Sequence, residues 1–517
     1  VAEAKTYPSQ RAYCMKGVLS KVKRGLSRLC WFVMTRKSMI GLYLLLAPSR
    51  NGRWKEAYIQ LNRRMYQRLG SFLGEYIINT VFEDCVRYIQ TNGKTIKDAM
   101  PLYTHEYLAL DFQRNIETRI ALWYHSYFYY LLEEVSGHRK VMREQAFFKL
   151  DEKKDVTHIL MLAHNWNFSA YLINYFMHSK AHTLRTFHGD FIEKKSLSEL
   201  ISQGESETHP ALAELISNAN VIFLEWCQYV AIWGSYQLPP SKKVILRLHS
   251  YEAFSPASYM LNFGGIDGII FVAEHIQAFF NVQHKPLMSH IKQVVIPNFT
   301  DFTQYVMGTN TNRKKVLSMA GYANKNKNPM MALDILYILL QDDTEWTLKL
   351  LGEPWQDDTS LSIDEVKYKN VFFAKMNAYQ LNNHVHFAPF FCDVNAFFKE
   401  VGYVLSCSLR EGTHEVILEG IASGCIPIIR NWPVCKHYDG AYNAYASFEP
   451  FIFDTPKEAA SLIQATQNDF DNTVVSNKEI LMQRYDARVT MPKLECFIDE
   501  VLYAETSKKH KEMLGHA

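Results

Sequence analysis

The sequence predicts an α/β protein with two doubly wound parallel sheets in tandem, preceded by a basic helical segment. From residue 151 onward, short apolar runs alternate with helical stretches, as β-α-β units do. The alternation occurs twice, with a connector at Gln293–Tyr305 between the two series. Before residue 151, apolar residues recur instead at three- and four-residue steps among many Lys and Arg.

Residues 1–150 read as mostly helical. Val18, Leu19, Val22, Leu26, Leu29 and Val33 make an apolar face, with Lys16, Lys21, Lys23, Arg24 and Arg28 on the remainder. A second such pattern runs through Leu61, Met65, Leu69, Phe72 and Tyr76, and Arg119–Val135 is apolar nearly all round, as in a helix buried between others. Residues 1–70 carry fifteen basic and two acidic side chains, a net +13 in a chain whose total is only +3. A basic end on an acidic body points to an anionic partner: lipid headgroups, an acidic polymer or nucleic acid. The same apolar face can equally pack within its own helical bundle.

In the first α/β series the expected strands are Thr157–His164, Asn220–Trp226, Lys243–His249 and Gly268–Ala273, with a last one inside Gln293–Tyr305. In the second series they fall within Lys314–Tyr322, Trp346–Glu353, Asn383–Phe390, Val401–Ser408 and Ile426–Asn431. A final helix from about Asn477 to Leu502 is expected to cross back onto the first sheet. The expected domains are therefore 1–150, 151–300 completed by about 477–517, and 301–476.

A chain of 517 residues exceeds one ordinary core, and 48% hydrophobic with 21% charged residues describes a soluble globular protein. No run reaches the roughly 18 apolar residues of a spanning helix, since Arg36 and Lys37 interrupt Leu29–Ala47. No secretory signal pattern is present. Nine cysteines without a CxxC pair or regular spacing suggest free thiols in a reducing, cytoplasmic setting.

The segment Cys407–Pro433 carries the chemistry. Strand character in Val401–Ser406 gives way to a break at Arg410–Glu415, then an apolar helix that Gly424 can end, then a strand at Ile426–Arg430. A helix that starts at the carboxyl edge of a parallel sheet offers free N–H groups to an anion. Glu411 in the loop and Glu419 inside the helix can then reach hydroxyls on either side of a bound diphosphate. Two glutamates near a helix start are common on surfaces; these two stand out because of their surroundings.

Three segments occur in a characteristic order: "VVIPNFTDFTQY" with Asn298 and Asp301, "SMAGYANKNKNPMMALDIL", and "VHFAPFF" followed by "VGYVLSCSLREGTHEVILEGIASGCIPII". Together they resemble the donor-binding half of a GT-B glycosyltransferase of the retaining family 4 type, whose signature is Glu-x7-Glu. The resemblance covers residues 290–435 well and 155–290 loosely, and does not cover 1–150. It implies two Rossmann-like domains facing a cleft. The implied reaction moves a hexosyl unit from a nucleotide sugar (UDP- or GDP-hexose) to a hydroxyl of a glycan, polymer or lipid-linked acceptor, with retention. No cofactor is implied.

The resemblance also implies roles. Glu419 would hold both ribose hydroxyls, for which a carboxylate with two acceptor oxygens is suited. Glu411 would orient the transferred sugar. Lys327 would neutralise the departing diphosphate, and the backbone N–H groups along Gly412, Thr413, His414, Glu415 and Val416 would bind phosphate and sugar oxygens. Glu415, in the first helical turn, also complements the helix dipole. Gly321 opens the nucleotide domain, but Tyr322 stands where the family has arginine, leaving Lys325 as the candidate second cation. His414 replaces a glycine or proline and narrows the sugar pocket. His249, after a strand of the first series, would approach the donor sugar or β-phosphate and the incoming hydroxyl, unless it is simply packed. His164, Asn165, Trp166 and Asn167 are acceptor candidates on the same terms.

His384 and His386 alternate on a strand and are expected to pack rather than bind metal. Without an Asp-x-Asp pair at a strand end, no divalent ion is expected. The implied mechanism is front-face displacement, with the leaving phosphate taking the acceptor proton. The basic end would then hold an anionic acceptor or dock on the cytoplasmic membrane face, with nucleic acid not expected. Two other readings fit the fold: a phosphorylase or epimerase, and a non-catalytic binding module acting through the helical segment.

Overall fold

The computed structural model describes residues 127–147, 156–192, 209–254, 256–361, 363–389 and 393–514. The basic end and the helices expected at Val18–Val33 and Leu61–Tyr76 lie outside the described residues. Elements from Glu133 onward belong to one compact unit.

The first described helix, Tyr127–Phe147, runs well past Val135, and over Leu132–Ala146 it is one-sided. It buries Val135, Ser136, Arg139 and Arg143 and exposes Glu133, Val141 and Met142. Its buried stripe is partly polar. Arg143 donates to the carbonyls of Gly265 (2.9 Å) and Lys242 (2.7 Å) and pairs with Asp267.

Two six-stranded parallel sheets follow, ordered β2-β1-β3-β4-β5-β6 and β12-β11-β10-β7-β8-β9. The first holds β1 (Thr157–Ala163), β2 (His182–His188), β3 (Val221–Glu225), β4 (Lys243–Leu248), β5 (Gly268–Phe271) and β6 (Lys292–Val295). The second holds β7 (Val316–Ala320), β8 (Thr347–Leu351), β9 (Val385–Ala388), β10 (Tyr403–Ser406), β11 (Ile426–Arg430) and β12 (Ile452–Phe453). Parallel strands covered on both faces read as unbroken apolar runs, and β3, β4, β5 and β10 are buried along their full length. Two strands lack that signature and carry no strand expectation. The edge strand β2 ("HTLRTFH") buries only His182 fully, and β12 has two residues.

Strand order reverses between β1 and β3 in one sheet and between β7 and β10 in the other. Such reversals open a crevice at the carboxyl ends, where α/β proteins bind ligands. The loops after β7 and β10 carry Lys327 and Glu411, so both residues flank the second crevice.

The carboxyl-terminal helical stretch is two helices, Phe470–Arg484 and Ala487–Leu514, not one. The break falls at Asp486, which is fully buried and accepts from the N–H of Phe302 (3.1 Å) and of Arg488 (3.0 Å). The second helix packs Ala487, Met491, Leu494, Phe497, Ile498 and Val501 against Ile159, Met161, Val221, Phe223 and Ile270 of the first sheet. Each of these side chains larger than alanine, fully buried, contributes about 1.5–3 kcal/mol. No helix among the described residues is long and apolar enough to cross a membrane.

Candidate active site

Two loops converge on the crevice of the second sheet. After β7 the chain turns at Gly321, whose φ of +77° suits glycine, and passes through a short 3₁₀ turn, Lys325–Lys327. A Cβ at position 321 would meet Lys327 Cγ at 3.2 Å, so the glycine also leaves room for the lysine stem. Asn326 pins this turn to the loop after β10. Its carbonyl accepts from Leu409 N (2.7 Å), and its amide donates to Arg410 O (2.9 Å).

The pinned loops bring Lys327 Nζ to 2.7 Å from Glu411 Oε1 and 3.0 Å from His414 Nε2. Ser408 Oγ donates to the same Glu411 oxygen at 2.6 Å. Burial opposes charge on Glu411, but Lys327 and these hydrogen bonds prevail and hold its carboxyl at about 2. Burial and the Lys327 ammonium push His414 down to about 3, so its imidazole is neutral. An ammonium only donates, so Nε2 of His414 accepts and the proton sits on Nδ1. Nδ1 then donates to Ser406 Oγ (2.8 Å), which also accepts from Trp432 Nε1 (3.1 Å). His414 therefore fixes the lysine. Lys327 keeps one of its three N–H donors for a ligand.

Helix Glu415–Ala422 begins at this point, and its N-cap residue His414 makes no side-chain capping bond. The N–H of Ile417 bonds the His414 carbonyl (2.9 Å), and the N–H groups of Glu415 and Val416 are left open toward an anion. Glu419, one turn in, accepts from Tyr305 OH at 2.9 Å. Burial, and then the neighbouring Glu415 carboxylate, raise Glu419 to about 7. Glu415 itself is turned to the interdomain connector, where Thr300 and Asn298 (3.1 Å) donate to it. Val416 is half-buried behind it. Tyr322 is 3% exposed and packs on Trp355 (5.3 Å) and Phe387 (5.2 Å), so it does not face Lys327. Lys325 is exposed on the same turn and is not brought against Glu411.

The loop Arg410–Thr413 touches the first sheet's carboxyl edge. Arg410 donates to Ser250 Oγ (3.2 Å), and a Cβ on Gly412 would meet Ser250 Cβ at 3.0 Å. His275, kept neutral by burial, donates from Nε2 to Glu411 O at 2.9 Å. Thr413 Oγ1 accepts from Asn298 (3.0 Å), whose carbonyl oxygen accepts from Arg247 (2.9 Å).

His249 lies just past β4, and its Nε2 is 2.9 Å from Glu225 Oε1 at the end of β3. Arg247 is 3.6 Å from the same carboxylate, and neither member of that pair reaches solvent. Trp226 stacks on His249 with ring centroids 3.9 Å apart, and Phe168 lies 5.6 Å from it. Phe168 and Trp226 both hold a positive φ (67° and 69°), a strained conformation for bulky side chains. Sequence reasoning missed Glu225, Arg247, Trp226 and Phe168. A buried acid and a basic residue on adjacent apolar strands are the signal that could have found the first two.

The acceptor candidates lie on the same edge. Asn165 accepts at its carbonyl from Trp226 Nε1 (3.0 Å) and at Oδ1 from Asn167 N (2.8 Å). His164 and Trp166 lean toward His188, with ring centroids 6.0 and 6.1 Å away. His384 bonds the Trp346 carbonyl (3.0 Å), whereas His386 is exposed.

Residues 305–465 match the family described as glycosyl transferases group 1. The structure of Anabaena Alr3699/HepE in complex with UDP aligns over 66% of this chain and 100% of that one, at 16% identity and a TM-score of 0.50. The fold is GT-B. Sucrose-phosphate synthase from Thermosynechococcus elongatus aligns over 67% of this chain and 100% of that one (12% identity, TM-score 0.49). A glycosyltransferase from Rickettsia africae ESF-5 aligns over 68% and 99% (14% identity, TM-score 0.48). A search of curated proteins finds no match. The matched segment covers all six strands of the second sheet and runs from Tyr305, beside Glu419, through Lys327 and Glu411.

Proposed function

We propose that the chain is a retaining glycosyltransferase that moves a hexosyl unit from a nucleotide sugar to a hydroxyl of a glycan, polymer or lipid-linked acceptor. The observation that carries this reading is the Lys327–Glu411–His414 cluster, set at a helix N-terminus with Glu419 one turn away. Glu419 holds the ribose, the open N–H groups and Lys327 hold the diphosphate, and Glu411 orients the sugar. UDP, which is bound in the Alr3699/HepE structure, is the first nucleotide to test. As the sugar–phosphate bond breaks, Lys327 and the N–H groups stabilise the charge on the leaving diphosphate. The acceptor hydroxyl enters on the same face from the side of His249, and the leaving phosphate takes its proton. No step is assigned to a metal. The five described cysteines are free, in keeping with a cytoplasmic setting, and we assign residues 1–70 to an anionic acceptor or membrane surface on charge alone.

Thermal shift with UDP, GDP, ADP and their hexoses tests the reading, because a ligand that binds only the folded state raises the melting temperature. One nucleotide series is expected to do so.

The raised carboxyl of Glu419 gives a second test. Ribose hydroxyls donate to the ionised form, and Glu419 ionises only as pH passes about 7. Nucleotide affinity should therefore rise between about pH 6 and 8 in the native chain, and Glu419→Gln should bind about 10- to 100-fold more weakly. Calorimetric titration of the diphosphate at several pH values, with the variant as control for the ligand's own ionisation, measures the difference. A pH dependence identical in both proteins would remove the ribose role from Glu419.

A further inference from the structure

We propose that His164, His188 and Asp190 form a divalent transition-metal site at the carboxyl edge of the first sheet. His188 is the last residue of β2, Ala163 pairs with it in register, and His164 follows directly. One ligating atom from each of the three side chains lies within 4.8 Å of the other two. Metal–ligand bonds of about 2.0–2.2 Å in a tetrahedral site place donor atoms roughly 3.4 Å apart. Binding the ion would draw the three side chains together from the wider spacing they hold now.

The turn between the two strand-end donors is shaped for this. A Cβ on Gly189 would lie 3.0 Å from His164 Nδ1 and 3.1 Å from its Cδ2, as well as 2.6 Å from a Val230 methyl. Glycine at this point lets the His164 imidazole sit against the turn that separates His188 from Asp190. His188 Nδ1 and Asp190 Oδ1 are already 2.6 Å apart, so these two donors face the same point.

Two imidazoles and one carboxylate suit Zn²⁺ and its transition-metal neighbours, whereas Mg²⁺ and Ca²⁺ favour oxygen ligands. Three protein ligands leave a coordination position open, as in metal sites that bind a substrate rather than brace a fold. His188 and Asp190 are exposed (45% and 69%), so that position faces solvent. Trp166 stands beside it, 6.1 Å from the His188 ring. The open position takes an anionic oxygen of a phosphate or carboxylate at the carboxyl edge of the first sheet. The site is built from the first sheet alone and does not depend on the reading of Lys327 and Glu411.

Co²⁺ added to the metal-stripped full chain tests it. The expected result is one Co²⁺ per chain with a visible absorption band, displaced by Zn²⁺ and shifted by inorganic phosphate. His164→Ala and His188→Ala should abolish the band, and Asp190→Asn should weaken binding about 10- to 100-fold. Zn²⁺ should raise the melting temperature of the native chain and not of the histidine variants, whose metal-free melting should match the native one because the altered side chains are partly or fully exposed. Absence of saturable Co²⁺ binding, or a band that survives both histidine substitutions together, would overturn the site. A band indifferent to phosphate would overturn its open position.

Discussion

Lys327→Ala should lower turnover of the nucleotide sugar about 100- to 1,000-fold, the usual loss when a group that stabilises transition-state charge is removed. The ammonium holds Glu411 at 2.7 Å and His414 at 3.0 Å, so its removal also loosens the carboxylate to which the sugar contact is assigned. Glu411→Gln should produce a comparable fall in turnover by a different route. Nucleoside diphosphate affinity should stay within about threefold of native in Glu411→Gln, because the proposed contact of that carboxylate is with the sugar rather than the nucleotide. In Lys327→Ala that affinity should fall as well. Steady-state kinetics paired with calorimetric titration of the diphosphate separates the two. Equal loss of diphosphate affinity in both variants would mean that the roles are not divided as assigned.

Glu225→Ala should destabilise the chain by about 3–5 kcal/mol, since it leaves a guanidinium uncompensated in the interior. Arg247 is wholly buried, 3.6 Å from Glu225 Oε1; it also bonds Asn298 and the Phe168 carbonyl and lies over the Phe299 ring (4.7 Å), and Glu415 and Glu252 act on it less strongly than Glu225. Replacing both charges with apolar residues of similar volume, as in Glu225→Leu with Arg247→Met, should recover much of that loss, because the cost lies in the unpaired charge. Urea denaturation of the two single variants and the double variant measures this. Simple additivity would show that the pair is not coupled. The same cluster supports His249, so turnover in the refolded double variant should remain low even where stability returns.

Much of this protein was legible before its structure. Buried strands such as β4 and β10 announce themselves because both faces are covered and most of their residues are apolar. The strand–loop–helix–strand order around Glu411 and Glu419 was legible for the same reason, and the structure places both residues beside the crevice between β7 and β10. The edge strand β2 was not legible, because its exposed side chains carry no apolar period. The terminal helical stretch reads as one element, since Asp486 looks like any polar residue until the N–H of Phe302 is found capping it. His414 is visible in the sequence only as a departure from glycine or proline. Its bond to Lys327 depends on two loops meeting across the sheet, and no local pattern encodes that. Glu225 and Arg247 were missed because apolar neighbours on β3 and β4 hide a charged pair that is complete only across strands.

The most direct test is release of nucleoside diphosphate from a panel of UDP-, GDP- and ADP-hexoses, with native chain and Lys327→Ala side by side. One donor series should be consumed by the native chain, with free diphosphate appearing about 100 times faster than in the variant. If no donor releases diphosphate, or if the variant releases it at the native rate, the cluster of Lys327, Glu411 and His414 is not a sugar-transfer site.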